Sequence, residues 1–305
     1  MSTLKHKPLL ISVVGPTAVG KTAVAIEIAK KYQTEIVSAD SRQFYKEMEI
    51  GTAKPTPEEL SQVPHHFVNS HTIKQHYSAG EFGRDAEKVL NRIFAERRVV
   101  VLVGGSTLYL KALWEGFDEM PEVDAQIREA LNSEFRKIGL EPLLNELQQK
   151  DEAYYNQVDR NNHQRVIRAL EVIRATNKPF SSFRKASTKE RHYQNLKIGL
   201  NMGRSELFDR INRRIDIMIK KGLFEEAASL QAYKHQNALQ TVGYSEIFDF
   251  LDGAYDQDEA IRLLKRNSRR YAKRQLTWFN RYDDIHWFHP QKLNEIFSLI
   301  DSHLS

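Results

Sequence analysis

Apolar positions follow two rhythms along this chain, and the rhythm changes near residue 117. In the first stretch, Leu9-Leu10-Ile11-Ser12-Val13-Val14 is almost wholly apolar and rich in branched side chains. That pattern predicts a strand buried on both faces, as in a parallel sheet. Glu35–Ser38 and Arg98–Val103 predict two more strands, the latter the most apolar run of all. Helical spacing separates them: Thr22–Lys31, then Glu81–Arg97 with Phe82, Ala86, Val89, Leu90, Ile93 and Phe94 on one side, then Thr107–Trp114. Strands alternating with helices predict an open, doubly wound α/β sheet.

From residue 118 to 194 no strong strand run appears. Amphipathic stretches replace it over Ala125–Ile138, Pro142–Lys150 and Gln164–Ala175, followed by the polar segment Ser181–Tyr193. Leu196–Leu200 restores a strand pattern, Ser205–Tyr233 and Gln257–Asn280 read as helical, and Ile285–Phe288 reads as a late strand. The expected organisation is an α/β core of residues 1–117 and 195–305 carrying a helical insertion domain at 118–194. No internal repeat or low-complexity tract interrupts it.

An apolar fraction of 41% over 305 residues is enough for packed cores and argues against wholesale disorder. The net charge of +5 is modest, but its distribution is uneven. Residues 160–214 hold 14 Lys or Arg against four acids, and residues 262–281 hold eight against none. Such blocks fit a polyanion larger than one nucleotide, or else solvated helix faces. The chain has no cysteine, which excludes disulfides, thiolate catalysis and cysteine-ligated zinc and fits a reducing compartment. Leu9–Val14 is too brief for a signal segment or a spanning helix. A soluble, cytoplasmic protein with no membrane partner is expected, with a monomer as the default state.

One motif changes the picture. Gly15-Pro16-Thr17-Ala18-Val19-Gly20-Lys21-Thr22 fits the phosphate-loop pattern, with an apolar strand before it and a helix after it. Its glycines let backbone N–H groups curl around phosphate oxygens, and the helix N-terminus adds partial positive charge. Lys21 is placed to contact a terminal phosphate and Thr22 to hold Mg²⁺. The expected fold is therefore a P-loop NTPase-like parallel sheet flanked by helices. Most such loops bind nucleoside triphosphates such as ATP, with an aspartate at the end of a second strand assisting the metal. Here Val99–Val103 runs instead into Gly104-Gly105-Ser106-Thr107, with no carboxylate. The carboxylate that follows a core strand is Asp40. It reads either as a base beside the bound phosphates or as a cap on the next helix.

Beyond that loop, the chain resembles the tRNA dimethylallyltransferase (isopentenyl diphosphate:tRNA transferase) family. The resemblance rests on Gly15–Thr22, Asp40-Ser41-Arg42-Gln43-Phe44-Tyr45, Gly51-Thr52-Ala53-Lys54-Pro55, Pro64-His65-His66 and Gly104-Gly105-Ser106-Thr107-Leu108-Tyr109. It continues with Gln164-Arg165-Val166-Ile167-Arg168, Val242-Gly243-Tyr244 and Lys273-Arg274-Gln275-Leu276-Thr277-Trp278, in family order and spacing. It implies transfer of a dimethylallyl group from dimethylallyl diphosphate to the exocyclic amine of adenine 37 in the tRNA anticodon loop. The P-loop and Mg²⁺ then hold the donor's diphosphate as leaving group, and Asp40 is the general base. Ser41, Arg42 and Gln43 match the loop that touches a flipped-out target base. Ser106 stands where relatives commonly carry Thr, and supplies the same hydroxyl. Arg128, Gln164, Arg165, Val166, Ile167 and Arg168 match tRNA contacts, and Arg210 and Arg214 match a stretch that helps hold diphosphate. Phe67-Val68-Asn69 departs from the family's usual Leu-Ile-Asp, so a role for that aspartate does not carry over.

Other features read more blandly. His65-His66 resembles a metal pair, but adjacent residues diverge on any regular element and no carboxylate accompanies them, which favours a structural role. Arg262, Arg266, Arg269 and Lys273 form a basic stripe suited to RNA phosphates. Leu263, Leu264, Tyr271 and Trp278 are expected to pack on the core. The competing readings are an adenylate-type isopentenyltransferase, a P-loop small-molecule kinase and a non-catalytic RNA-binding switch. The long basic insertion disfavours the kinase and, to a lesser degree, the adenylate enzyme.

Overall fold

In a computed structural model the described residues are 7–118, 120–184 and 191–305. Part of the polar segment expected before the fourth core strand, and the first six residues, lie outside them. The described residues of Met1–Glu115 and Glu190–Ser305 form one compact unit, and those of Gly116–Lys189 form a second.

The first unit is a six-stranded parallel sheet flanked by helices. Its strands are β1 (Leu9–Val14), β2 (Ile36–Ala39), β3 (His65–His66), β4 (Val99–Gly104), β5 (Gln194–Leu200) and β6 (Ile285–Phe288). They lie in the order β3-β2-β4-β1-β5-β6. Its helices are α1 (Lys21–Lys31), α2 (Pro57–Leu60), α3 (Ala79–Phe94) and α4 (Thr107–Trp114). The second unit holds α5 (Ala125–Ile138), α6 (Glu141–Lys150), α7 (Glu152–Tyr155) and α8 (His163–Thr176). The first unit resumes with α9 (Arg204–Lys220), α10 (Leu223–Ser229), α11 (Ser245–Leu251), α12 (Gln257–Phe279) and α13 (Leu293–Leu304).

Strand pleating divides β1 between two cores. Leu9, Ile11 and Val13 pack with α1, α9 and α13, whereas Leu10 and Val14 pack with α3 and α4. Ser12 is the one polar residue of the run. It donates to Asn195 Oδ1 (2.7 Å) and accepts from Trp114 Nε1 (3.1 Å), so its burial leaves nothing unpaired.

The register of the sheet matters most for function. Gly104, the last residue of β4, stands opposite Val14 on one side and Ala39 on the other. The chain therefore leaves three neighbouring strands in one row, at Gly15, Asp40 and Gly105. With strands about 4.8 Å apart, Gly15 and Asp40 start about 10 Å from each other, with Gly105-Ser106 between them. A side chain at Gly104 would run into the Ala39 carbonyl, so glycine keeps β2 and β4 in contact at the rim.

Three departures from the sequence expectation have physical causes. The helix expected over Ser205–Tyr233 is broken at Gly222, whose φ of 97° lets the chain turn from α9 into α10. The strand β3 has only two residues, both histidines, and pairs at the sheet edge with Ile36 and Val37. Residues 191–194 belong to the first unit rather than to the insertion: Arg191 donates to Glu87 Oε1 (2.7 Å) and Tyr193 packs on Phe94.

The second unit is held by a core of Leu131, Leu143, Leu147, Val166, Ile167 and Leu170. Asp151 caps α7 and ties down the turn after α8 by accepting from the Ser181 N–H (2.7 Å) and hydroxyl (2.8 Å).

Candidate active site

The loop after β1 is built to curl around an anion, although its Thr17 N–H is taken by Gln275 and its Val19 N–H by Pro16. Gly15 and Gly20 sit at φ of 142° and 105°, and Ala18 at 65°, so the chain curls back on itself. A side chain at Gly15 would strike the Leu200 carbonyl. Gly20 starts α1 with no side-chain cap and no acid in the first turn. Helix α3, by contrast, carries a complete capping box from Ser78 and Glu81. An uncapped N-terminus facing a crevice is an anion site.

Lys21 donates to the Pro16 carbonyl (2.8 Å), which folds its side chain over the loop. Burial pushes its ammonium down to about 8, against the opposing pull of Asp40, and the cation Arg214 pushes it the same way as burial. Burial likewise lowers Arg214, again opposed by Asp40. Lys21, Asp40 and Arg214 thus feel one another. Arg210 lies against the loop itself: a Cβ added at Gly20 would sit 3.5 Å from its guanidinium. The sequence left these two arginines equivalent. The structure sets Arg214 on the crevice wall with Asp40 and Arg210 beside Gly20.

Asp40 follows β2 and does cap something, but not a helix. Its Oδ1 accepts from the Arg42 N–H (3.0 Å), closing a tight turn, and its Oδ2 has no partner among the described residues. Ser106, buried at the start of α4, accepts from the Ser41 N–H (2.8 Å) and donates to the Ser41 hydroxyl (3.1 Å). Gln43 donates to the Thr52 and Ala53 carbonyls (both 3.3 Å). Residues 40–43 are therefore held from both sides.

Two cavities open here. A small one of about 30 Å³ lies between Lys21, Thr22, Ser38, Asp40, Gln43 and His65. A larger one of about 500 Å³ is bordered by Thr17, Asp40, Arg42, Ser106, Arg214 and Tyr271, among others. Thr22 and Asp40 share the small cavity, as one hydroxyl and one carboxylate. No group of three or more His, Asp or Glu that could hold a metal occurs among the described residues. That donor set fits Mg²⁺, which keeps waters and completes its shell with phosphate oxygens.

Several contributors carry roles that the sequence did not assign. Gln275 of α12 is buried and clamps the site: Oε1 accepts from the Thr17 N–H (2.9 Å) and Nε2 donates to the Gly105 carbonyl (2.8 Å). Tyr271, one turn earlier, was expected in the core but lines the crevice beside Asp40, with burial pushing its phenol up to about 12. Glu226 accepts from the N–H groups of Glu49 (3.0 Å), Ile50 (2.8 Å) and Gly51 (2.9 Å) and from the Tyr244 hydroxyl (2.6 Å). Gly51 is required because the Tyr244 ring occupies the space of a side chain. Glu226→Ala should lower stability by about 3 kcal/mol, since several donors lose a charged acceptor together; a urea melt checks this.

His66 has a carboxylate partner that the sequence did not reveal, and His65 lines the small cavity. His65 Nδ1 bonds the Val63 carbonyl (2.8 Å) and His66 Nε2 pairs with Glu35 (2.6 Å). On α12, Leu264 is buried and Trp278 stacks on Trp114, but Arg262 is paired with Glu259 and Arg269 donates to Asn212.

In the second unit the expected RNA-contact residues divide. Gln164 and Arg165 are exposed, while Arg128 and Arg168 both pair with the buried carboxylate of Glu171 (3.0 and 2.6 Å). Val166 and Ile167 are corrected: both are fully buried in the core of this unit and offer RNA no side-chain surface. Leu170 stands at i+4 from Val166 and at i+3 from Ile167, so the three share the buried face of α8.

Comparison with known proteins places this arrangement. The family model described as IPP transferase matches residues 43–282. A tRNA dimethylallyltransferase of Cytophaga hutchinsonii is 52% identical over 295 residues, covering 97% of each chain. The tRNA dimethylallyltransferase 1 of Bacteroides thetaiotaomicron is 46% identical over 293 residues, covering 96% of this chain and 95% of its own. Among solved structures, the full-length tRNA isopentenylpyrophosphate transferase of Bacillus halodurans superposes with a TM-score of 0.72 at 38% identity, covering 98% of this chain and 97% of its own. A eukaryotic dimethylallyltransferase acting on tRNA gives a TM-score of 0.76 at 25% identity, over 94% of this chain and 75% of its own. The family model begins after the P-loop and Asp40, whereas both curated relatives align over nearly the whole chain.

Proposed function

The chain belongs to the IPP transferase family, and from that membership we infer how its site works. It is a prenyltransferase that moves a dimethylallyl group onto the exocyclic amine of adenine 37 in tRNA. The observation that carries the assignment of roles is the single row formed by the P-loop, Ser106 and Asp40 at the rim of three adjacent strands.

The donor is dimethylallyl diphosphate. Its diphosphate lies in the P-loop, against the free N–H groups at the start of α1, with Lys21 above it and Arg214 on the crevice wall. Mg²⁺, when bound at Thr22, supplies further neutralisation of the leaving group's charge. The carbon–oxygen bond breaks, the adenine nitrogen bonds the allylic carbon, and negative charge grows on the diphosphate, where those donors stand. Asp40 Oδ2 accepts the proton lost by the amine. Ser41, Arg42 and Gln43 border the base, and Ser106 keeps that turn in position. The second unit, with Arg165 exposed on α8, contacts the tRNA. No described helix is long and apolar enough to cross a membrane; a tRNA substrate fits a cytoplasmic enzyme.

Incubation with labelled dimethylallyl diphosphate, Mg²⁺ and tRNA, AMP or ATP tests the reading. Label is expected on tRNA alone; robust ATP hydrolysis with no label on tRNA would overturn it. Arg165→Ala should weaken tRNA binding and reduce its salt slope by about 1, the effect of one phosphate contact. An unchanged slope removes Arg165 from the interface. Arg168→Ala is a poorer probe, because it leaves buried Glu171 with Arg128 alone.

A further inference from the structure

One wall of the larger crevice is apolar and takes no part in the roles described so far. On α9, Ile211, Ile215 and Met218 stand at i, i+4 and i+7, on one helical face, and all three line the crevice. Leu264 of α12 and Val242 line it too. Met218 is only 9% exposed, whereas its neighbour Ile217 is 54% exposed and turns away. Arg214 lies on the crevice between Ile211 and Ile215, and it is the cation whose charge reaches Lys21 and Asp40. The apolar wall therefore adjoins the anion-binding groups and runs from them toward the end of α9.

The rise of the helix supplies a length. Met218 is four residues beyond Arg214, about 6 Å further along the axis. With carbon–carbon bonds of about 1.5 Å, a dimethylallyl chain extends about 4 Å from its oxygen-bearing carbon and a geranyl chain about 9 Å. For a tail that starts level with Arg214 and follows the apolar wall, the shorter one ends before Met218 and the longer one runs into it. We propose that Met218 closes the prenyl subsite and sets the donor length at five carbons. The proposal rests on the donor being a prenyl diphosphate, as read above. A thioether suits the position, because it is apolar, polarizable and able to settle against branched methyl groups. Its other contacts are with the core around α9.

Wild type, Met218→Ala, Met218→Phe and Met218→Leu are compared with labelled dimethylallyl and geranyl diphosphates on tRNA. Wild type should favour the shorter donor by at least about 10²-fold in kcat/KM, the scale of pocket discrimination between apolar groups. Met218→Ala should cut that ratio at least tenfold by gaining geranyl transfer. Met218→Phe should raise the KM for dimethylallyl diphosphate and leave the KM for tRNA unchanged, whereas Met218→Leu should keep the wild-type ratio. Dimethylallyl transfer by Met218→Ala at an unchanged ratio overturns the role of Met218 while leaving the donor assignment intact. Equal use of both donors by wild type does the same. A wild type that transfers neither overturns the donor assignment and this proposal with it. Should Met218→Ala fail to fold, the split between Met218→Phe and Met218→Leu decides: equal donor KM values overturn the proposal.

Discussion

Asp40→Ala is expected to lower turnover by roughly 10²–10⁴-fold, the range for loss of a positioned general base. Alanine removes two things, however: the partnerless Oδ2, and the Oδ1 that accepts from the Arg42 N–H (3.0 Å) and closes the turn. Asp40→Asn separates them. Its side-chain carbonyl still accepts from Arg42, so the turn is retained, but the amide takes up no proton. If Asp40 is the base, both variants lose turnover to a similar extent while tRNA affinity holds. If its purpose is the turn, Asp40→Asn stays near wild type and only alanine fails. Single-turnover rates with tRNA saturating distinguish these outcomes, and a near-normal rate for Asp40→Asn rejects the base.

The parts of the site that were legible in sequence are those whose requirement is local. The P-loop glycines recur at fixed spacing because both take a positive φ within an eight-residue loop, and β1 announces itself because both its faces are buried. Asp40 was found from its place after an apolar strand. What stayed hidden depends on residues far apart in the chain. Gln275 bonds Thr17 from 258 positions away, and Glu226 holds residues 49–51 from about 175. Gln275 stands in a visible motif and Glu226 in none, but neither shows its partner until the fold brings the two together. The motif around Val242-Gly243-Tyr244 was visible as a pattern, but its reason, the Tyr244 ring beneath Gly51, is purely tertiary.

The errors follow the same rule. Val166 and Ile167 match the family's contact motif together with their polar neighbours, but α8 does not present that motif as one surface. A helix gives successive residues different faces, so a contact motif on α8 necessarily contains core residues. The break at Gly222 was more accessible. Lys220-Lys221-Gly222 is a basic last turn followed by glycine, a helix stop signal that the long apolar periodicity obscured. The two-residue strand β3 offered no such signal: its pairing is set by β2, not by its own side chains.

Lys21→Met should cost about 10²–10³-fold in kcat/KM for the donor, the scale for losing one charge-stabilising donor, and it should also make the free protein more stable. The second effect follows from linkage. Folding lowers the Lys21 ammonium from 10.5 to about 8, so the unfolded chain binds that proton more tightly than the folded one. A group lowered in this way opposes folding at neutral pH, and the penalty is relieved as pH rises from about 8 toward 10.5. Methionine removes the penalty, so the variant should melt higher than wild type at pH 7, with the difference shrinking across that window. In wild type, kcat/KM for the donor reports the free enzyme, and it should fall as pH rises through about 8, where Lys21 loses its charge. Lys21→Met should lack that fall. Asp40 raises the Lys21 ammonium, so in Asp40→Asn the thermal benefit of adding Lys21→Met should grow. A variant that melts below wild type while keeping its pH profile would show that Lys21 stabilises the loop and does not hold the phosphate.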